Sequence, residues 1–194
     1  MTASRKGDRS VRRDDHPLPS KNRLKTWLAA FVALCLGGCL GMPEQVRPVQ
    51  GFDLDRYLGT WYEIARLDHS FERGLERVSA EYSRRGDGGV RVLNRGFSPA
   101  ENRWKEAEGK AYFVREPSEG YLKVSFFGPF YGSYVIFELD RENYQYAFVC
   151  GPDTSYLWLL ARTPQVDEEL RKRFIASAAA RGFDVENLIF VNHP

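Results

Sequence analysis

The chain has 194 residues, 43% of them apolar and 14% aromatic, which suits one domain with additional segments and can support a core. Its formal charge of +2 misleads: residues 1–38 carry eight of the 28 basic and three of the 26 acidic residues, leaving 20 against 23, a net of −3, from residue 39 onward. No basic stripe remains, so no nucleic-acid partner is expected.

Residues 1–25 are polar and basic, with Arg12, Arg13, Lys21, Arg23 and Lys25, and residues 27–36 are apolar. A basic segment, a short apolar core and small residues ahead of a cut describe a secretory signal, and the apolar core is too short to span a bilayer comfortably. Leu36-Gly37-Gly38-Cys39 resembles the lipobox of bacterial lipoproteins. That resemblance implies removal of residues 1–38, diacylglyceryl transfer to the Cys39 sulfur and acylation of the new amino terminus. An ordinary signal with an incidental cysteine is the alternative. Several acyl chains anchor firmly, at ~0.8 kcal/mol per buried CH₂. Leu40, where retention in the inner membrane would call for Asp, implies by resemblance to enterobacterial sorting the outer membrane, facing the periplasm. Residues 39–50, with Pro43 and Pro48, are expected to form the lipidated tether, and residues 51–194 the domain. With Cys35 inside the signal and Cys39 acylated, Cys150 has no disulfide partner in the mature chain.

A helical turn from Asp55 to Leu58 ends at Gly59, which has no Cβ to restrict its dihedrals. The next residues alternate with period two, Trp61, Glu63 and Ala65 on one face and Tyr62, Ile64 and Arg66 on the other. A tryptophan opening the strand would plug one end of a closed sheet. Gly59-x-Trp61 followed by Tyr62-Glu63-Ile64-Ala65 is similar to the first signature of the lipocalins. The run on through Phe71-Glu72-Arg73-Gly74 resembles bacterial outer-membrane members in particular. The resemblance extends from about Gly51 to Asn192 and includes Lys123-Val124-Ser125-Phe126-Phe127-Gly128-Pro129-Phe130-Tyr131, Val149-Cys150-Gly151-Pro152 and Ala161-Arg162-Thr163-Pro164. The family's middle signature, a Thr-Asp-Tyr turn, stands here as Leu139-Asp140-Arg141.

Eight short strand-like runs follow one another, at roughly 60–67, 77–84, 89–97, 103–114, 121–127, 132–139, 144–150 and 155–162. Gly86-Asp87-Gly88-Gly89 and Glu116-Pro117-Ser118-Glu119-Gly120 are hairpin signals. The fold expected is all-β, an eight-stranded antiparallel up-and-down barrel, with room for side chains or one small ligand. Charge separates inside from outside, because burying charge is costly. Glu106, Glu108 and Lys110 belong in water, so Ala107, Gly109, Ala111 and Phe113 point in. By the same rule Leu122, Val124 and Phe126 face in opposite Lys123 and Ser125, and Val90, Val92 and Asn94 face in opposite Arg91 and Arg95. Three very small residues on one wall suggest space for a guest, unless rings such as Trp158 and Tyr134 fill it. Glu63 either orients a ligand's polar group or is satisfied structurally, by Arg162 or a tyrosine. By resemblance, Tyr156, Trp158, Leu160 and Arg162 share the inward parity, and Arg162 lies over the Trp61 indole as a structural pair.

Residues 68–76 are too long for a tight hairpin; the resemblance makes them a lid over the open end, mixing Phe71 and Leu75 with His69 and Arg73. His69 is either a pH-sensitive head-group contact or a solvated loop residue. Phe126 to Gly132 form a second aromatic cluster, a contact surface for ligand, membrane or a second subunit in a homodimer, or else local packing. Asp167-Glu168-Glu169 and Gly182 bracket a helix whose Leu170, Phe174, Ile175 and Ala178 stripe would dock on the barrel's outside. Residues 188–191 form a short final strand, and Cys150 faces outward beneath the helix.

No hydrolase, zinc or other metal motif appears, and no cofactor is expected. The resemblance implies a binding protein, not an enzyme, with a fatty acid or lysophospholipid in an apolar calyx, serving envelope maintenance. The ligand-lining set is Glu63, Ala65, Phe71, Val92, Asn94, Ala107, Gly109, Ala111, Phe113, Leu122, Val124, Phe126, Tyr134, Tyr156 and Trp158. A non-binding scaffold or dimer, or a lipid-modifying enzyme, are the alternatives.

Overall fold

The computed structural model describes residues 40–193, so the signal sequence and Cys39 lie outside the described residues. A short helix α1 (Leu54–Tyr57) leads into strands β1 (Gly59–Arg66), β2 (Glu76–Arg84), β3 (Val90–Ser98), β4 (Arg103–Phe113), β5 (Tyr121–Ser125), β6 (Gly132–Leu139), β7 (Tyr146–Cys150) and β8 (Leu157–Ala161). Helix α2 (Glu168–Ala179), a 3₁₀ turn (Val185–Asn187) and strand β9 (Ile189–Phe190) complete the chain. Each strand from β1 to β8 pairs antiparallel with the next, and β8 and β1 pair to close the barrel. Closure leaves no exposed sheet edge among the eight.

Two apolar layers result. The inner one contains Trp61, Tyr82, Val90, Val92, Ala111, Leu122, Ile136, Val149 and Leu160. The outer one lies on one flank, where Ala65, Phe137, Phe148, Cys150, Leu157 and Leu159 meet Phe174 and Ala178 of α2. Phe174 is fully buried, with its ring edge-on to Phe148 at 5.0 Å. Asp167 caps α2 by accepting from the Leu170 amide at 2.7 Å, and Glu138 of β6 holds the helix through Arg173 at 2.6 Å and the Ser177 hydroxyl at 2.9 Å. The Cys150 thiol sits in this layer, and burial pushes its pKa up.

Two features depart from the sequence-based expectation. Gly41 onward is packed on the barrel, not held as a tether: the Gly41 amide donates to Ser133 Oγ at 2.9 Å, Val46 is fully buried, and the Val49 amide donates to the Ile136 carbonyl at 2.9 Å. Three apolar residues at 46, 49 and 52 find apolar partners, and that burial outweighs the freedom a linker keeps. Strand β1 also carries a β-bulge between Glu63 and Ala65. The bulge places one extra residue on β1 and inverts the alternation beyond it.

Candidate functional site

The barrel has a floor and a mouth. At the floor, the buried Trp61 indole donates to the Tyr57 carbonyl at 2.7 Å. Arg162 covers its face at 3.9 Å and donates to the carbonyls of Thr60 (2.9 Å), Arg56 (2.7 Å) and Tyr144 (3.2 Å). One guanidinium thus ties α1, β1 and the turn before β7 across the closed end. Gly59 holds φ +92°, a conformation that L side chains rarely adopt. Above the indole, the Tyr134 hydroxyl shares hydrogen bonds with Tyr57 at 2.7 Å and Tyr82 at 2.8 Å. Burial raises the pKa of all three phenols, so they stay neutral.

The bulge builds the next layer. Residues three apart on a regular strand face opposite ways; here Glu63 and Arg66 both face in, opposite Leu160 and Trp158 of β8. Arg66 Nη1 lies 2.6 Å from Glu63 Oε1, both side chains almost fully buried. Arg66 Nη2 donates to the carbonyls of Glu72 (3.0 Å) and Leu75 (3.2 Å), which folds the β1–β2 loop back over the barrel. Glu72 turns its own carboxylate inward and accepts from the Trp158 indole at 3.1 Å. Two carboxylates are therefore buried near one guanidinium, which bonds that of Glu63 alone, while that of Glu72 is held by the indole. Burial, then repulsion from Glu72, pushes Glu63 up to about 8 against the pull of Arg66, and burial raises Glu72 as well. His69 stacks between Phe71 (5.3 Å) and Tyr156 (4.9 Å), with Trp158 at 4.8 Å. Burial, then Arg66, lowers its pKa to about 4, so it is neutral near pH 7.

The opposite wall is set by register. Trp61 pairs with Ala80, Ala80 with Asn94, and Asn94 with Ala107, so all four face the interior. Ala107 is nevertheless exposed. Outside, Arg91–Glu108 at 2.7 Å and Arg95–Glu106 at 2.8 Å carry the charges.

A lipocalin-like domain matches residues 52–193, most of the chain. The chain belongs to the lipocalin family. Over 166 residues this lipocalin is 65% identical to the outer membrane lipoprotein Blc of Vibrio cholerae, which covers 84% of the chain and 97% of that protein. It is 55% identical over 152 residues to the protein of the same name from Escherichia coli K12, covering 78% and 85%. Its fold is similar to that of insecticyanin from the tobacco hornworm Manduca sexta, with a TM-score of 0.62 at 20% identity over 79% of this chain and 87% of that one.

The residues assigned to the lipocalin calyx divide by height. Phe113, Leu122 and Tyr134 face one another across β4–β6 at the floor, with the Phe113 ring 6.1 Å from Phe52. Val92, Ala111 and Val124 line the middle with Gly109 and Phe126. A Cβ on Gly109 would meet the Phe126 ring at 2.8 Å, so its smallness admits that ring and not a guest. Asn94, Ala107, Glu63 and Trp158 stand higher, and Phe71 and Tyr156 sit at the mouth around His69. Ala65 does not belong to the set: past the bulge it pairs with Leu159 in the outer layer, and Arg66 takes the inward place. Glu63 pairs with Arg66, not with Arg162 or a tyrosine, and His69 is buried, not solvated. The participation of Arg66, Glu72 and His69 was not apparent from alternation. Its trace in the sequence is an arginine that regular alternation would set beside Tyr62 and Ile64. Separately, a groove of about 430 Å³ lies outside the barrel between α2 and the closed end, lined by Asp140, Tyr146, Val166, Leu170 and Arg173 among others.

Proposed function

We propose that this lipocalin is a lipid carrier, anchored in the outer membrane through acylated Cys39 and facing the periplasm, whose calyx takes one acyl chain of a fatty acid or lysophospholipid. The observation that carries the reading is Ala107, which faces the interior by register and is still exposed. Open space therefore stands in front of it, above the tyrosine floor. Ala107, Val124 and Phe126 offer that space an apolar wall, with Val92 packed behind it. Burial of a tail there is worth ~25 cal/mol per Å² and has no direction, so selectivity follows shape and chain length.

A head group has partners waiting. Arg66 Nε, His69 Nε2 and Asn94 Oδ1 are buried without hydrogen-bond partners, an uncommon condition for polar atoms in a folded interior. The guanidinium edge suits a carboxylate or phosphate oxygen. The names of the relatives, outer membrane lipoproteins, favour the anchoring at Cys39. A binding role is favoured over catalysis because the interior carboxylates are held by Arg66 and Trp158 and the Cys150 thiol lies on the outer side. An activated nucleophile beside a base is the minimum for covalent chemistry, and among the described residues the interior holds no cysteine. Native mass spectrometry of a chain starting at Leu40, with palmitate and with a lysophospholipid, tests the reading. One bound lipid per chain is expected, and none at ~10 µM, where a Kd near 1 µM corresponds to about −8 kcal/mol, would reject it.

A further inference from the structure

We infer that the mouth of the calyx faces the bilayer, and that the β5–β6 loop dips into the membrane surface, so that lipid passes between membrane and calyx without crossing water. The inference rests on the anchoring of Cys39 proposed above. The amino-terminal segment runs up the outside of the barrel and is fastened at the open end. The Gly41 amide donates to Ser133 Oγ at 2.9 Å, at the start of β6, directly after the 126–131 loop. Gly41 also lies beside the Pro152 carbonyl in the β7–β8 loop, at the same end. Cys39 is two residues from Gly41, so covalent geometry keeps its Cα within ~7 Å of that point. The longest strand, β4, has 11 residues; at ~3.3 Å each and tilted by ~40°, it gives the barrel a height of roughly 28 Å. A tether of ~7 Å cannot carry acyl chains from the mouth around to the closed end.

The surface at that end is chemically suited to lipid. Phe127 is 81% exposed and Phe130 71% on the β5–β6 loop, and Phe71 is 59% exposed on the β1–β2 loop at the same end. Leu40, next to Gly41 in the chain, is exposed as well. Large apolar side chains clustered on loop tips mark a contact surface, and the adjacent acyl anchor makes the bilayer its occupant. At the opposite pole, the β6–β7 turn presents Arg141, Glu142 and Asn143 to solvent.

The test uses the full chain, processed in a bacterial host and reconstituted in phosphatidylethanolamine–phosphatidylglycerol vesicles, with nitroxides at Phe127→Cys, Phe130→Cys and Glu142→Cys. Oxygen concentrates in the hydrocarbon core and a nickel chelate stays in water. The expected oxygen-to-chelate accessibility ratio at 127 and 130 is roughly tenfold above that at 142, the contrast between the acyl boundary and bulk water. Equal, water-like ratios at all three positions would overturn the inference. So would spin–spin broadening at 127 and 130 without membrane depth, which would assign the loop to a second copy of the chain. Intact mass of the same preparation reads the acylation of Cys39. A mass without acyl chains would remove the anchoring alone, and label depths in that chain added to vesicles would still decide whether the loop docks.

Discussion

Substituting Glu63 by Gln should change how stability depends on pH, by an amount the buried cluster sets. Glu63 is buried against Arg66 with the Glu72 carboxylate repelling it, and it is pushed to about 8. Between its ordinary value of 4.5 and about 8, the unfolded chain releases a proton that the folded chain keeps. Stability contributed by the protonated group is thus complete below pH 4.5 and lost as pH rises toward 8. His69 acts in the opposite direction: lowered from 6.5 to about 4, it is protonated in the unfolded chain and neutral in the folded one between those two values, so stability rises with pH there. The two effects offset each other between about pH 4.5 and 6.5. From 6.5 to 8 the Glu63 effect stands without that offset. The slope there is about −1.4 kcal/mol per pH unit, or ~2 kcal/mol over the window. Urea denaturation of a chain starting at Leu40, followed by tryptophan fluorescence, should show the midpoint falling by about 1 M between pH 6.5 and 8 at constant m. Glu63→Gln should flatten that fall and uncover the His69 rise between about pH 4.5 and 6.5. A flat profile in the unsubstituted chain, or an equal slope in the variant, would refute the reasoning.

Other outcomes follow from the same geometry. Ala107→Trp should fill the hollow and weaken lysophospholipid binding by about tenfold or more, equal to ~1.4 kcal/mol, with little change in Tm; calorimetric titration and a thermal melt read the two. Gly59→Ala, at φ +92°, should cost about 1–3 kcal/mol, and Arg162→Met about 2 kcal/mol through lost carbonyl bonds and the indole contact, both measured by urea unfolding. Phe174→Ala should cost about 3–5 kcal/mol yet leave lipid affinity unchanged, because its contacts lie in the outer layer.

The strand order was legible from regularly spaced runs and hairpin signals, the helix from its acidic first turn and apolar stripe, and the inside–outside assignment of β3, β4 and β5 from Arg91, Arg95, Glu106, Glu108, Lys110 and Lys123, which fix one parity on each strand. Arg91, Arg95, Glu106 and Glu108 meet across the outer face as their parity requires. The Trp61–Arg162 pair came from resemblance, and the structure gives it at 3.9 Å. Alternation failed where the backbone itself breaks period two. A bulge at Glu63/Ala65 is invisible to a parity rule, and with it went Arg66, Ala65 and the partner of Glu63. Loop residues have no parity, so the inward turn of His69 and Glu72 depended on tertiary contacts with Arg66, Tyr156 and Trp158. The packing of residues 41–50 was outvoted by Pro43 and Pro48, although Val46 and Val49 carried the opposite signal.

A crystal structure of the chain from Leu40 grown with palmitate or a lysophospholipid examines the hollow itself. The account predicts continuous density for one acyl chain between Ala107, Val92 and Phe126, with the polar end in hydrogen-bond reach of Arg66 Nε. An acyl chain seated in the outer groove beside Leu170 and Arg173, with the calyx closed by its own side chains, would contradict it.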